Sequence, residues 1–413
     1  MKPPTARALA AHLVFDVLAN DRMLGPEHPA LEDAEPQIRA RALSLARRTL
    51  KHLPNLDLCL KPYLRRAPQP TVHAIMRIAV TELLIEETPA HAVVSEAVST
   101  TSRVDGGKSA TGLVNAVLRK VADEGPARLA SLPPPRLPGW LRGRLQNAYG
   151  DPATRAMEAL FAQDAPTDLT LKPGATPPEG TALPNGSLRL HGTPMISKLP
   201  GYTNGDFWVQ DAAAACAVQT LGDVKGKRVL DLCAAPGGKT LQLAAAGANV
   251  TALDISEQRL TRLNENLQRT GLDAETICAD ALTWQPDTPF DAIVLDAPCS
   301  ATGTLRRHPD LPYLRDGSAI RDLAKLQASL LARAATWLAP GGQLLYITCS
   351  LLPEEGEAHL ADAPLPLKPI DPSPLGGDST WQTPEGALRL RPDFWAEHGG
   401  MDGFFIALFQ RPA

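Results

Sequence analysis

Apolar residues recur at helical spacing through the first 125 positions. Leu9, Leu13 and Val17 fall four apart; Val72, Ile75, Ala79 and Leu83 repeat the stripe, as do Val94, Ala97 and Val98, then Leu113, Val114, Val117, Leu118 and Val121. Stripes of this period mark amphipathic helices, so the spacing predicts an all-helical bundle. Gly106 and Gly107, ahead of Lys108, predict a break and a small loop before the last of these helices. From Pro126 to Phe207 breakers crowd the chain, in Pro133-Pro134-Pro135, Pro138-Gly139, Pro173-Gly174 and Pro177-Pro178. This stretch reads as a linker and a small, mostly extended subdomain, with one short helix around Trp140, Leu141 and Leu145. Beyond it the period changes: Arg228 to Cys233, Val250 to Asp254, Ala292 to Asp296 and Leu344 to Thr348 are short apolar runs ending in polar residues. Helical stretches, Glu257 to Thr270 and Ile320 to Leu338, lie between them. Strands apolar on both faces and joined by helices predict a doubly wound, mostly parallel α/β sheet. The expected domain limits are 1–128, 129–208 and 209–413.

A chain of 413 residues, 44% of them hydrophobic, has ample material for cores, which excludes disorder as its main state. The net charge of −4 gives no global positive field, so any nucleic-acid surface is confined to a local patch. Up to Gly125 the chain carries 16 Lys and Arg against 14 Asp and Glu, leaving 25 against 31 for the rest, so the helical end is the more basic. Six cysteines without close pairs do not make a disulfide scaffold. The opening residues lead into no signal-type apolar core, and no apolar run approaches a membrane span. A soluble, cytoplasmic protein with reduced thiols and no membrane partner is expected.

The polar strand ends matter because such sheets bind ligands beyond the carboxyl edge of their strands. After the first strand comes Cys233-Ala234-Ala235-Pro236-Gly237-Gly238-Lys239-Thr240. It ends like a phosphate-binding loop, but that loop needs Gly where Cys233 stands, and Pro236 removes an amide donor. The three spaced glycines of a dinucleotide site are also absent. What remains is a Gly-Gly turn that lets backbone approach a ligand before a helix. Asp254, at the end of the next strand, is placed to accept hydrogen bonds from a ribose. A nucleoside ligand without demanding phosphates fits, and S-adenosylmethionine is one; its sulfonium suits carboxylates such as Asp231 and Asp296. A single strand-end Asp is as readily a helix or turn cap, but the set Asp231, Asp254, Asp280 and Asp296 points to a ligand.

Two thiols give this platform its chemistry. Cys299, in Asp296-Ala297-Pro298-Cys299-Ser300, and Cys349, in Thr348-Cys349-Ser350, each follow a predicted strand and face one crevice. C5 of a pyrimidine is a poor nucleophile until a thiolate adds at C6 and makes the ring enamine-like, able to take a methyl from a sulfonium. One thiol attacks, and a second group removes the C5 proton so that the adduct eliminates. A free thiol has a pKa of about 8.5, so the attacker needs help from its surroundings. Asp296 is placed to hydrogen-bond or protonate the pyrimidine N3 as charge develops. On this chemistry alone either cysteine serves as the nucleophile. The target cytosine must be single-stranded or extruded, because a stacked base shields C6.

These motifs, from Asp231 to Thr240, Asp296 to Ser300 and Thr348 to Ser350, closely resemble those of the Sun (Fmu) family of RNA cytosine-C5 methyltransferases. Val209-Gln210-Asp211, Arg306 to Asp310 and Asp402-Gly403-Phe404-Phe405 extend the resemblance from Val209 to the C-terminus. Pro89 to Val98, and Lys108 through Asn115 to Arg119, resemble the NusB-like helical domain that bacterial members carry. That architecture is similar to the bacterial enzyme that methylates one cytosine of small-subunit ribosomal RNA. The resemblance implies a Rossmann-like methyltransferase domain, S-adenosylmethionine as cofactor and ribosomal RNA as substrate. It further implies Cys349 as the nucleophile at C6 and Cys299 as the aid to proton removal and release. By the same resemblance Cys233, Ala234, Ala235, Pro236, Gly237, Gly238 and Lys239 bind the methionine part, Asp254 the ribose and Asp280 the adenine side. Asp296 then sits at the junction of cofactor and cytosine.

Departures from the pattern carry their own expectations. Ala301 stands where the family commonly has Gly; a positive φ there would cost about 1 kcal/mol or more, so a conformation that tolerates Ala is expected. Around Asp168 the common Arg-Val-Asn is missing, and 364–374 is a Pro-rich insertion loop. Arg306, Arg307 and His308 form a cationic patch expected to hold the RNA backbone at the crevice mouth. Arg65, Arg66, Arg103, Lys108, Arg119 and Lys120 serve equally as RNA contacts or as an ordinary solvated surface. Histidines and cysteines show no metal-ligand spacing, so no metal is expected, and one crevice needs no partner subunit, so a monomer is. The alternatives are an RNA-binding assembly factor without turnover and a methyltransferase acting on another RNA such as tRNA.

Overall fold

In the structure, a computed structural model that describes residues 4–413, the Thr5 side chain caps the first helix by accepting from the Ala8 amide. Six helices follow in order: α1 (Ala6–Ala19), α2 (Pro36–Leu60), α3 (Pro70–Leu84), α4 (Ala90–Arg103), α5 (Thr111–Ala130) and α6 (Gly139–Phe161). The apolar stripes form one core in which Leu13, Val14, Leu45, Val80, Val114 and Leu118 are fully buried. Leu113 is the exception and faces solvent. The break at Gly106 is real, with φ +68, and a Cβ at Gly107 would lie 2.0 Å from the Thr101 carbonyl oxygen. The short helix expected around Trp140 is α6, 23 residues long. Gly150, at φ 79 and ψ 167, kinks it, and Pro152 lies just inside the restarted segment, where its fixed φ and missing N–H do no harm.

A small antiparallel sheet comes next: β1 (Asp168–Leu171), β2 (Thr181–Ala182), β3 (Leu188–Arg189) and β4 (Phe207–Val209), in the order β2-β3-β1-β4. The buried Asp168 carboxylate accepts from Arg189 Nε and Nη2 at 2.7 and 2.8 Å, and from the Ala212 amide at 3.2 Å. Arg189 in turn donates to the Gly400 carbonyl at 2.8 Å. Asp168, at the place where the family's Arg-Val-Asn is missing, thus ties the small sheet to the larger one.

The rest of the chain is α7 (Ala212–Gln219), β5 (Arg228–Leu232), α8 (Gly238–Ala245), β6 (Asn249–Asp254), α9 (Glu257–Thr270), β7 (Glu275–Cys278), β8 (Phe290–Asp296), α10 (Leu311–Leu314), α11 (Ile320–Thr336), β9 (Leu338–Thr348), β10 (Leu388–Leu390) and β11 (Phe404–Gln410). The seven-stranded sheet runs β10-β11-β9-β8-β5-β6-β7. The four pairings from β9 to β7 are parallel, and β10–β11 and β11–β9 are antiparallel. The Pro-rich 364–374 segment is more than a loop. Leu367 bridges to Phe409 and Lys368 N donates to Leu408 O, so it covers the β11 edge that the three-residue β10 leaves open.

By contacts the chain forms two compact units, one up to Asp164 with Leu305–Gly317, the other Ala165–Thr304 with Ser318–Ala413. The limit expected at 128/129 falls inside α5, and that at 208/209 inside β4. Helix α6 falls within the helical unit, and its Leu141, Leu145 and Met157 are buried.

Ala301 overturns its expectation. Its φ is +56, the left-handed region that L-residues avoid. Two outcomes follow for stability. Asp168→Ala leaves Arg189 charged and buried without its carboxylate, and is expected to cost about 3–5 kcal/mol in chemical denaturation. Ala301→Gly is expected to relieve about 1–2 kcal/mol of strain against about 0.5–1 kcal/mol of extra chain entropy, raising the thermal midpoint by a degree or two.

Candidate active site

The parallel register of β8 and β9 pairs Asp296 with Ile347, so the loops leaving both strands start level with each other. Cys299 lies three residues beyond Asp296 and Cys349 two beyond Ile347, and their sulfurs are 3.4 Å apart. Both thiols are half-buried and neither is in a disulfide. The Cys299 pKa is raised well above the usual thiol range, first by its hydrogen bond to Cys349 and then by burial. The neighbouring Ala301 amide works against both effects.

The cofactor loop lies along the same edge. Cys233 takes a left-handed turn at φ +59 after β5, Ala234 N donates to Leu253 O at 3.1 Å, and the Ala235–Pro236 bond is cis. Burial pushes the Cys233 thiol up to about 12, with the nearby Asp296, Asp254 and Asp231 adding to the effect. Only the first glycine of the turn is obligatory: Gly237 has φ +105 and a Cβ would meet Leu263 at 2.7 Å, whereas one at Gly238 would make ordinary contact. Lys239 donates to Asp296 at 2.7 Å and lies 5.6 Å from the centre of the Phe404 ring. Burial opposes its charge, but Asp296 outweighs that and holds the ammonium above its usual pKa; Cys349 is also within electrostatic reach.

Asp254 is buried and accepts from the amides of Ala235 at 3.1 Å and Ser256 at 2.9 Å, with Arg259 at 3.3 Å. Asp280 is exposed and accepts from the Leu282 amide at 2.9 Å. Asp231 is fully buried; burial pushes its pKa up to about 7 against the opposing hydrogen bond from Thr240 at 2.6 Å. Its second oxygen has no hydrogen-bond partner among the described residues. An orphaned buried carboxylate oxygen beside an obligatory glycine turn, in a crevice where acids outnumber cations, fits a cationic nucleoside such as S-adenosylmethionine. Asp231, Asp254, Asp296 and the 233–239 loop are the residues that would hold it.

The cationic patch expected at 306–308 does not form. Arg306 is 2% exposed, Arg307 half-buried, and only His308 open to solvent. The segment 305–317 is folded into the helical unit: Asp310 accepts from the Leu24 amide at 3.0 Å, and Trp140 donates to the Pro312 carbonyl at 3.0 Å. Arg65, Arg66, Arg103, Lys108, Arg119 and Lys120 are all exposed.

Sequence reasoning missed one residue outright. Glu355, in a short turn after β9, is fully buried between the two cysteine loops and accepts from Ser350 at 2.6 Å and from the Ser300 amide at 2.8 Å. Only its place six residues beyond Cys349 could have flagged it, and no spacing rule reads that.

The family model described as 16S rRNA methyltransferase RsmB/F matches residues 218–410, and that of the NusB family matches residues 4–123. Ribosomal RNA small subunit methyltransferase B of Serratia proteamaculans is 36% identical over 86% of this chain and 89% of its own. The protein of the same name from Pseudomonas putida is 36% identical over 97% and 96%. The crystal structure of a methyltransferase homologue from Pyrococcus horikoshii aligns with a TM-score of 0.54 and 26% identity, over 65% of this chain and 93% of that one. The chain therefore belongs to the RsmB/F family of 16S rRNA methyltransferases, with a NusB-family helical domain preceding the methyltransferase domain.

Proposed function

We propose that the protein methylates C5 of a cytosine in small-subunit ribosomal RNA through a covalent Cys349–C6 adduct. The observation that carries the reading is the pair of sulfurs 3.4 Å apart beside the Asp296–Lys239 ion pair. S-adenosylmethionine, held by the 233–239 loop and the carboxylates of Asp231 and Asp254, supplies the methyl group.

The two thiols divide the work by protonation. Cys299 keeps its proton, because its hydrogen bond to Cys349 and its burial hold its pKa up. With its proton kept, Cys299 is taken as the donor between the two sulfurs, and Lys239 adds positive charge on the same side, which favours Cys349 as the nucleophile that adds to C6. The Asp296–Lys239 pair holds a proton that passes through the Asp296 carboxyl to the pyrimidine N3 as negative charge moves onto the ring, and that returns when Cys349 is eliminated. Once the Cys349 sulfur is bonded to carbon, the main cause holding the Cys299 proton is gone. Cys299 then releases that proton to water and accepts the one from C5, and elimination frees Cys349. The exposed Arg and Lys side chains of the helical unit support contact with the RNA backbone. One chain supplies the whole crevice, which supports action as a monomer, and the ribosomal RNA named for its relatives supports a cytoplasmic location.

The test uses radiolabelled S-adenosylmethionine and unmodified 16S rRNA, with bisulfite sequencing to locate the mark. Cys349→Ala is expected to lower turnover by about a thousandfold or more and to abolish covalent RNA adducts. Cys299→Ala is expected to trap an adduct that migrates slowly on a denaturing gel. The opposite pattern exchanges the two roles, and no label at cytosine C5 refutes the reaction.

A second outcome concerns pH. Asp231 titrates at about 7, so below that pH it is neutral and offers the sulfonium no charge, and above it the anion is available. Affinity for S-adenosylmethionine is expected to rise between pH 6 and 8, by up to about tenfold, with a weaker trend for the uncharged thioether S-adenosylhomocysteine. Titration calorimetry of the wild type against Asp231→Asn, where the difference should vanish, checks this.

A further inference from the structure

A buried carboxylate is costly unless every oxygen is met by donors, and Glu355 is met only by neutral ones. Oε1 accepts from the Ser300 amide at 2.8 Å and from Gln327 Nε2 at 3.2 Å. Oε2 accepts from the Ser350 hydroxyl at 2.6 Å and from the Ser300 hydroxyl. The Glu355 carbonyl accepts from the Thr348 hydroxyl at 3.0 Å, and Gln327 reaches the Pro298 carbonyl at 2.8 Å. The residues bound on either side of Cys299 are Pro298 and Ser300, and on either side of Cys349 they are Thr348 and Ser350. Every neighbour of the two thiols in the chain is therefore tied to Glu355 or to its partner Gln327.

We propose that Glu355 is a positioning residue whose carboxylate holds the two cysteine loops in register and so sets the distance between the thiols. This deepens the cytosine-C5 reading above and rests on it for its catalytic consequence. The reasoning is one of donors and acceptors. An ionised carboxylate only accepts, so both serine hydroxyls must point their protons at it, leaving the Ser350 oxygen to accept from the Leu352 amide at 3.0 Å. An amide in its place brings an NH2 group against a hydroxyl or a peptide N–H. At either oxygen position it faces two former donors, the Ser300 N–H with the Gln327 amide or the two serine hydroxyls, so two of the four contacts are lost and the loops separate. The two serines carry its hold on the loops, while its charge also acts directly on Cys299, adding to the rise in that thiol's pKa.

The geometric part is tested without any methyl transfer. In a glutathione redox buffer, two protein thiols and one oxidised glutathione give the Cys299–Cys349 disulfide and two reduced glutathiones; alkylation and peptide mass spectrometry read the fraction. The effective concentration of one thiol at the other measures their alignment. Glu355→Gln is expected to lower it about tenfold or more, with the S-adenosylmethionine dissociation constant within twofold of wild type. On RNA, kcat is expected to fall about a hundredfold with KM changed less than threefold. An unchanged effective concentration, or a loss confined to KM, overturns the proposal. If Glu355→Gln does not fold, Ser300→Ala and Ser350→Ala carry the test; each is expected to lower the effective concentration severalfold, and unchanged values in both overturn it. Failure of the wild type to methylate C5 refutes the underlying reading alone, since the disulfide measurement is independent of it.

Discussion

The site depends on two parallel strands ending side by side. Because β8 and β9 are hydrogen-bonded neighbours with Asp296 opposite Ile347, their exit loops have no choice but to share one stretch of sheet edge. Side-by-side strands stand about 4.8 Å apart, and two short loops that turn towards each other from that separation can bring sulfurs to 3.4 Å. Had another strand separated β8 from β9, no loop of three residues could have closed the gap. The reactive pair is therefore a product of strand order before it is a product of side-chain choice.

Charge is organised on the same edge. Three carboxylates, those of Asp231, Asp254 and Asp296, are drawn together in a chain whose net charge is only −4, and each is handled differently. Asp254 is met by two loop amides and Arg259, Asp296 is paired with Lys239, and Asp231 keeps one oxygen unmet. Repulsion among them and burial are what raise Asp231. A cation entering the crevice meets groups already arranged to favour it, which is how binding energy becomes preorganised.

Much of the fold was legible because burial on both faces leaves a plain trace. The runs at β5, β6, β8 and β9 are nearly continuous in apolar residues, and the amphipathic stripe of α9 is bounded by Ser256 and Gly271, its two caps. β7 and β10 left no such trace, being short strands at the sheet edges. Helix α6 runs far beyond the short helix read around Trp140, because the chain only kinks at Gly150 and restarts with Pro152 in its first turn. At the site, the cysteines and aspartates were legible as chemistry at strand ends. Glu355 was not, since a carboxylate six residues past a strand looks like any surface acid until its donors are seen. Arg306 erred in the opposite direction: a basic pair beside a reactive loop suggests exposure, yet the partners of Asp310 and Trp140 draw the segment inward.

The route of the chain between Thr304 and Ser318 has a consequence for how the molecule can be divided. The polypeptide quits the methyltransferase unit a few residues after Cys299, contributes 305–317 to the helical one, and returns. Tyr313 donates there to the Leu50 carbonyl at 3.1 Å, and Leu314 packs on the helical core. The two units are thus stitched rather than strung together, and no single scission separates them. A shortened chain starting at residue 165 would keep those thirteen residues while stripping away the surface they fold against, leaving Leu311, Tyr313 and Leu314 uncovered a few residues after Cys299. Removing the helical half therefore means rewriting this insert at the same time.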